Sequence, residues 1–109
     1  PDAFFEKIFL LFPDPWPKKK HASRRFIGNE NLQEISRLLK RGGTLRVASD
    51  DMNYIKWTLR HANIHPDFEW KAQNADDWRK SPKDWMPTRY EQKAISCGKK
   101  PIYLDYIKK

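Results

Sequence analysis

Asp14 stands between two prolines in Phe12-Pro13-Asp14-Pro15-Trp16-Pro17, where a carboxylate can meet a cationic or hydrogen-bond-donating ligand. Each proline fixes φ, so the turn is rigid. The preceding run, residues 7–12 (Lys-Ile-Phe-Leu-Leu-Phe), is rich in β-formers and stopped by Pro13. It predicts a strand buried on both faces, as in a parallel sheet. Asp14 then lies at the carboxyl end of a strand, where open α/β sheets place their ligands. The competing explanation is an ordinary turn aspartate that bonds its own backbone. Directly after the turn come Lys18, Lys19, Lys20, His21, Arg24 and Arg25, the densest basic cluster of the chain. In an exposed loop this cluster suits the phosphates of a polyanion, and a solvated loop is the plainer alternative. Trp16 can stack on a base or pack beneath the loop, and the sequence does not choose between them.

Other residues offer chemistry at a distance. Asp50 ends a second predicted strand and either binds a ligand or caps the next helix, a role for which Asp51 competes. Thr88-Arg89-Tyr90-Glu91 has the Thr-x-x-Glu form of a capping box. His61 and His65 have the spacing of metal ligands on a helix. No third ligand is apparent nearby, and positive side chains suit a helix C-terminus anyway, so no metal is assigned. Trp70, Trp78 and Trp85 alternate with Lys71, Arg79, Lys80 and Lys83. That pattern passes for a second nucleic-acid surface, but tryptophans so spaced more often cover a core.

The elements that must position these residues follow from periodicity. Leu32, Ile35, Leu38 and Leu39 predict an amphipathic helix from Asn29, with Asn29 as N-cap and Gly42-Gly43 as its stop. Residues 44–48 read as the second strand, completing a βαβ unit whose crossover is right-handed. A second helix starts near Asp51, with Tyr54, Ile55, Thr58, Leu59 and Ala62 on one face, and ends at Pro66. Residues 68–71 and 102–107 predict further strands. Residues 74–87 predict a loop with at most a turn of helix, and Gly98 closes the helix that Thr88 opens.

With 109 residues, one domain with a real core is expected. The net charge of +8, from 22 Lys and Arg against 14 Asp and Glu, favours a polyanionic partner. No apolar run nears the roughly 20 residues of a membrane span, and no signal peptide is apparent. The single Cys97 reads as a reduced thiol, so a soluble cytoplasmic protein is expected.

The stretch Phe12-Pro13-Asp14-Pro15-Trp16-Pro17-Lys18-Lys19-Lys20-His21, followed by Arg24-Arg25, closely resembles the signature of the bacterial tRNA (guanine-N7)-methyltransferases. Two further segments occur in that family's order. Leu45-Arg46-Val47-Ala48-Ser49-Asp50 is similar to its alanine-threonine-aspartate strand end, with serine for the commoner threonine, and Thr88-Arg89-Tyr90-Glu91 to its threonine-x-aromatic-glutamate motif. The resemblance covers essentially the whole chain but only the second half of the family's fold. It therefore implies the C-terminal portion of a single methyltransferase domain over residues 1–109, without the Gly-rich turn and the acidic residue expected to hold most of the cofactor.

The implied fold is α/β, the C-terminal half of a Rossmann-like class I methyltransferase fold, mostly parallel with an antiparallel last strand. The implied reaction is methyl transfer from S-adenosylmethionine to N7 of a guanine in tRNA, by the family's precedent guanine 46 of the variable loop. Asp14 is the expected catalytic and cofactor-facing carboxylate. Lys18, Asp50, Thr88, Arg89, Tyr90 and Glu91 are the expected substrate-binding residues, and Lys18, Lys19, Lys20, His21, Arg24 and Arg25 the expected RNA contacts. Two rivals stay open: a nucleic-acid amino-methyltransferase using a similar turn, and a basic RNA-binding module without catalysis. By themselves, these 109 residues are expected to bind tRNA weakly and transfer no methyl group. Monomer and homodimer both remain possible.

Overall fold

In the computed structural model, which describes residues 2–16 and 19–109, the apolar run before Pro13 forms β1 (Phe5–Leu11). A 3-10 turn over Lys19–Arg24 follows, then α1 (Asn29–Leu38), β2 (Leu39–Ser49), α2 (Met52–Ile64), β3 (Phe68–Trp70), α3 (Asp76–Arg79), α4 (Arg89–Ser96) and β4 (Ile102–Lys108). The chain is thus mixed α/β, with one sheet in the order β1-β2-β4-β3. β1 and β2 are parallel neighbours joined through α1, while β4 runs antiparallel to both β2 and β3. Three strands therefore point one way, and the last strand opposes them from between β2 and β3.

Side chains alternate across the sheet, so register assigns each row to a face. Leu10, Val47 and Leu104 share one row and Ile8, Leu45 and Tyr106 the next but one. This face packs against α1 and α2 through Leu32, Ile35, Tyr54, Ile55 and Ala62. The intervening row, Phe9, Arg46 and Asp105, belongs to the other face. There the Arg46 side chain, 7% exposed, donates to Asp105 at 2.8 Å and Asp84 at 2.9 Å and lies over the Phe9 ring. No helix among the described residues is long and apolar enough to cross a membrane.

The structure departs from local pattern in four places. β1 is not buried on both faces: Phe5 and Phe9 are exposed, because they lie on the sheet face opposite the one that α1 and α2 cover. Gly42-Gly43 does not stop α1, which passes straight into β2 at Leu39. Both glycines lie inside β2 where the register slips, Phe5 facing Leu39 but Lys7 facing Thr44. A Cβ on Gly43 would sit 2.8 Å from the Lys40 carbonyl oxygen and 3.0 Å from that of Glu6, so only glycine passes. The α1 N-cap is Gly28, without a side-chain cap bond, and Asn29 is the first helical residue. Finally, the expected basic loop contains the 3-10 turn, closed by the Arg25 N–H on the Ala22 carbonyl.

Candidate active site

Because β1 and β2 are parallel and adjacent, their carboxyl ends lie side by side, with Leu11 opposite Ala48. The Phe12 N–H continues the ladder to the Ala48 carbonyl at 2.7 Å. Asp14 and Asp50 follow these ends on one rim. The Asp14 turn is bracketed by two non-glycine residues with positive φ, Phe12 at 50° and Trp16 at 44°. Such conformations cost roughly 1–3 kcal/mol each and persist where surrounding contacts enforce them.

Those contacts are visible. Arg25 donates from Nε to the Pro15 carbonyl at 3.0 Å and from Nη2 to the Trp16 carbonyl at 3.2 Å. Its guanidinium lies 4.7 Å from the Trp57 ring centroid, and Trp57 Nε1 donates to the Ile27 carbonyl at 2.6 Å. Trp16 packs within the loop: Arg24 sits 5.0 Å over its ring and His21 meets it edge-on at 5.5 Å. Asp14 is exposed, and its contact with the Trp16 N–H is long, 3.4 Å. Lys20 is exposed, whereas Lys18 and the side chain of Lys19 lie outside the described residues.

The rivalry between Asp50 and Asp51 is resolved by geometry. Asp51 caps α2, accepting the Tyr54 N–H at 2.9 Å. Asp50 is left for another use. Its side chain is 9% exposed, and Oδ2 has no hydrogen-bond partner among the described residues. Lys99 Nζ stands 3.7 Å away, a charge neighbour beyond hydrogen-bond reach. Lys99 is delivered there by the end of α4. Gly98 at φ 83° donates to the Ile95 carbonyl and Lys99 to the Ala94 carbonyl, the paired bonds of a Schellman motif.

Thr88 caps α4 by accepting the Glu91 N–H at 2.9 Å. Only this half of the expected capping box forms, because the Glu91 carboxylate is taken by other donors. Glu91 is 5% exposed, and its carboxylate accepts from Trp85 Nε1 at 3.0 Å and from the Tyr103 hydroxyl. Burial, then the Glu91 carboxylate, push the Tyr103 hydroxyl pKa upward. Arg89 and Tyr90 are exposed on the first turn. The Tyr90 ring lies 5.1 Å from that of Phe12, which joins α4 to the Asp14 turn. A pocket of about 260 Å³ opens between Asp50, Tyr90, Lys93 and Lys99.

The spaced histidines have other surroundings. His65 uses Nε2 with Gln33 at 3.1 Å and Nδ1 to accept the Asp67 N–H, while His61 lies against Trp57 at 4.2 Å. Burial, then Arg60, lower the His61 pKa. Among the described residues no group of three or more potential ligands gathers for a metal.

Comparison with known proteins places the amino-acid sequence among relatives. A family model described as "Putative methyltransferase" matches residues 1–104. The chain belongs to this methyltransferase family. It is similar to the tRNA (guanine-N(7)-)-methyltransferase of Rhodospirillum rubrum, 55% identical over 106 residues that make up 97% of this chain and 42% of the relative. The proteins of that name from Bartonella henselae and Azorhizobium caulinodans are 50% and 46% identical, covering 100% and 99% of this chain. The chain spans less than half the length of these curated relatives, 42% to 47%.

Several residues of this methyltransferase chain escaped sequence reasoning. Phe12 read as the last residue of a strand, not as a link to Tyr90. Trp57 lies on α2 thirty-two positions after Arg25, and nothing local announces their stack. Tyr103 and Trp85 read as strand and loop aromatics, although a buried glutamate in a capping box asks for donors. Lys99 carried one signal, its place directly after Gly98.

Proposed function

We propose that this chain is the guanine-aiming, tRNA-binding portion of an S-adenosylmethionine-dependent tRNA (guanine-N7) methyltransferase with a Rossmann-like class I fold, working in the cytoplasm on guanine 46 of the variable loop. The observation that supports it best is the convergence of the Asp14 turn, Asp50 and Tyr90 on one rim, linked by the Phe12–Tyr90 contact. The net charge of +8 suits the polyanion.

S-adenosylmethionine, when bound, supplies an electrophilic methyl group on a sulfonium. Guanine N7 would be the acceptor of that methyl group through its lone pair, and the electron pair of the carbon–sulfur bond would leave with sulfur. No general base is needed, because N7 is not protonated at neutral pH. What the chain contributes is aim, worth about 7–11 kcal/mol at its upper end when reacting atoms are held in line. Asp14 fits the reacting end of the donor, since its carboxylate is exposed at the rim and opposite in charge to the sulfonium. As positive charge passes to the purine, the same carboxylate stabilises it. Asp50 Oδ2, buried and lacking a donor, suits the N1–H and N2–H edge of guanine. Glu91, held by Trp85 and Tyr103, fixes the α4 turn that presents Thr88, Arg89 and Tyr90. Arg24, His21 and Lys20, with Lys18 and Lys19 of the same basic run, are the RNA contacts in this reading, while Arg25 holds the catalytic turn.

In the intact protein, Asp14→Ala is expected to lower methyl transfer by at least about 10²-fold, as removal of a charge-stabilising group does, while tRNA affinity persists. Nucleoside analysis of the product should show 7-methylguanosine. Unchanged turnover, or an N6- or N4-methylated base, would overturn the assignment.

A further inference from the structure

Past Asp50, on the side away from Asp14, the rim opens into a second and larger cleft of about 930 Å³. Asp50 and Lys99 line both it and the pocket beside Tyr90, so they form the partition between the two. Its lining combines exposed apolar side chains, Met52 and Ile95, with the cations Arg79, Lys99 and Lys100. The Arg79 guanidinium lies over the Trp78 ring, 5.0 Å from its centroid.

An occupant matched to this lining has flat apolar faces and negative charge together, the combination in a nucleotide. Bases out of the helical stack rest on aromatic rings and arginine planes, and their phosphates seek lysines. Strand order places the cleft. The start of β4 at Ile102 is paired with Ser49, the last residue of β2, and Ile102 lines the cleft. The cleft is therefore about one strand spacing, roughly 4.8 Å, farther along the rim than Asp50, within reach of the next residue of a single-stranded segment.

We propose that this cleft takes the nucleotide adjacent in the tRNA chain to the target guanine, its base against Arg79 and Trp78 and its phosphate toward Lys99 and Lys100. The inference rests on the tRNA-methyltransferase reading above and extends the substrate-contacting set by Trp78, Arg79, Lys99 and Lys100.

The test is a binding cycle on the intact protein, using tRNA and the same tRNA made abasic at either neighbour of the target guanine. One abasic substitution should weaken wild-type binding about tenfold, in the range of one lost stacking contact. Arg79→Lys keeps the charge but loses the planar guanidinium. It should weaken binding by a similar factor with the salt slope unchanged, and combining it with the abasic tRNA should add nothing. Lys100→Ala, an exposed change, should lower the salt slope by about one. Additive losses, or no loss at either neighbour, would overturn the proposal. Because the cycle reads affinity alone, a wild type that shows this coupling yet forms no 7-methylguanosine would remove the functional reading while keeping the nucleotide cleft.

Discussion

Arg24 and Arg25 are neighbours in one basic run, yet their guanidinium groups meet different partners. Arg24 is exposed over the Trp16 ring, with its charge open to solvent and to a phosphate. Arg25 is half-buried, clamped between two carbonyls of the Asp14 turn and the face of Trp57. Arg24→Ala should therefore weaken tRNA binding and lower the salt slope by about one. Arg25→Ala should leave that slope intact and lower the rate at saturating tRNA, by about 10²-fold if the turn shifts by an ångström. Binding over a salt series, combined with single-turnover rates, separates the two. A flattened slope with an intact rate in the Arg25 variant would return it to the phosphate contacts.

At the level of elements, the termini of helices do the positioning. Asp51 caps α2, so the buried Asp50 carboxylate is not spent on that helix terminus. The Schellman motif after α4 turns the chain so that Lys99 faces Asp50. Gly98→Ala forces an L side chain to φ 83°, at a cost of roughly 1–2 kcal/mol. Urea denaturation should show that loss. Methyl transfer in the intact protein should fall as well, because Lys99 no longer stands beside Asp50. A variant of undiminished stability would mean that the turn relaxes without strain.

Across the whole molecule, the two faces of the sheet are held by different physics. One is closed by apolar packing against α1 and α2; the other centres on Arg46 between Asp105 and Asp84. Removing Arg46 leaves Asp105 and Asp84 to water, since their side chains are 24% and 49% exposed, so Arg46→Ala should cost about 1–3 kcal/mol, the range for lost hydrogen bonds to charged groups. The same set imposes an acid limit. Arg46, then Lys7, hold the Asp84 carboxyl at about 2, below its ordinary 3.8. A depressed carboxyl contributes stability that is complete above its unfolded value and is lost as pH falls through the folded one. Unfolding free energy should thus decline as pH falls from about 3.8 toward 2, and the Arg46→Ala variant should show a shallower decline. Equal acid slopes in the two proteins would remove the Arg46–Asp84 pair as the cause.

The amino-acid sequence by itself determined the features that depend on neighbours within about four positions. The proline-locked Asp14 turn, the Thr88 cap, the Gly98 stop and the apolar face of α2 were all legible, while the methyltransferase family, and with it the antiparallel final strand, came from the resemblance of whole motifs. Its errors were also local: Gly42-Gly43 looks like a helix stop because glycine serves both stops and bulges, and only the approach of the Glu6 and Lys40 carbonyls decides. Tertiary structure alone decided that Arg25 turns inward onto the Asp14 turn and Trp57, that Asp50 is buried beside Lys99, and that Glu91 is buried under Trp85 and Tyr103. Most of these outcomes join residues far apart in the chain, and all are set by which faces pack together, a choice no short window of sequence contains.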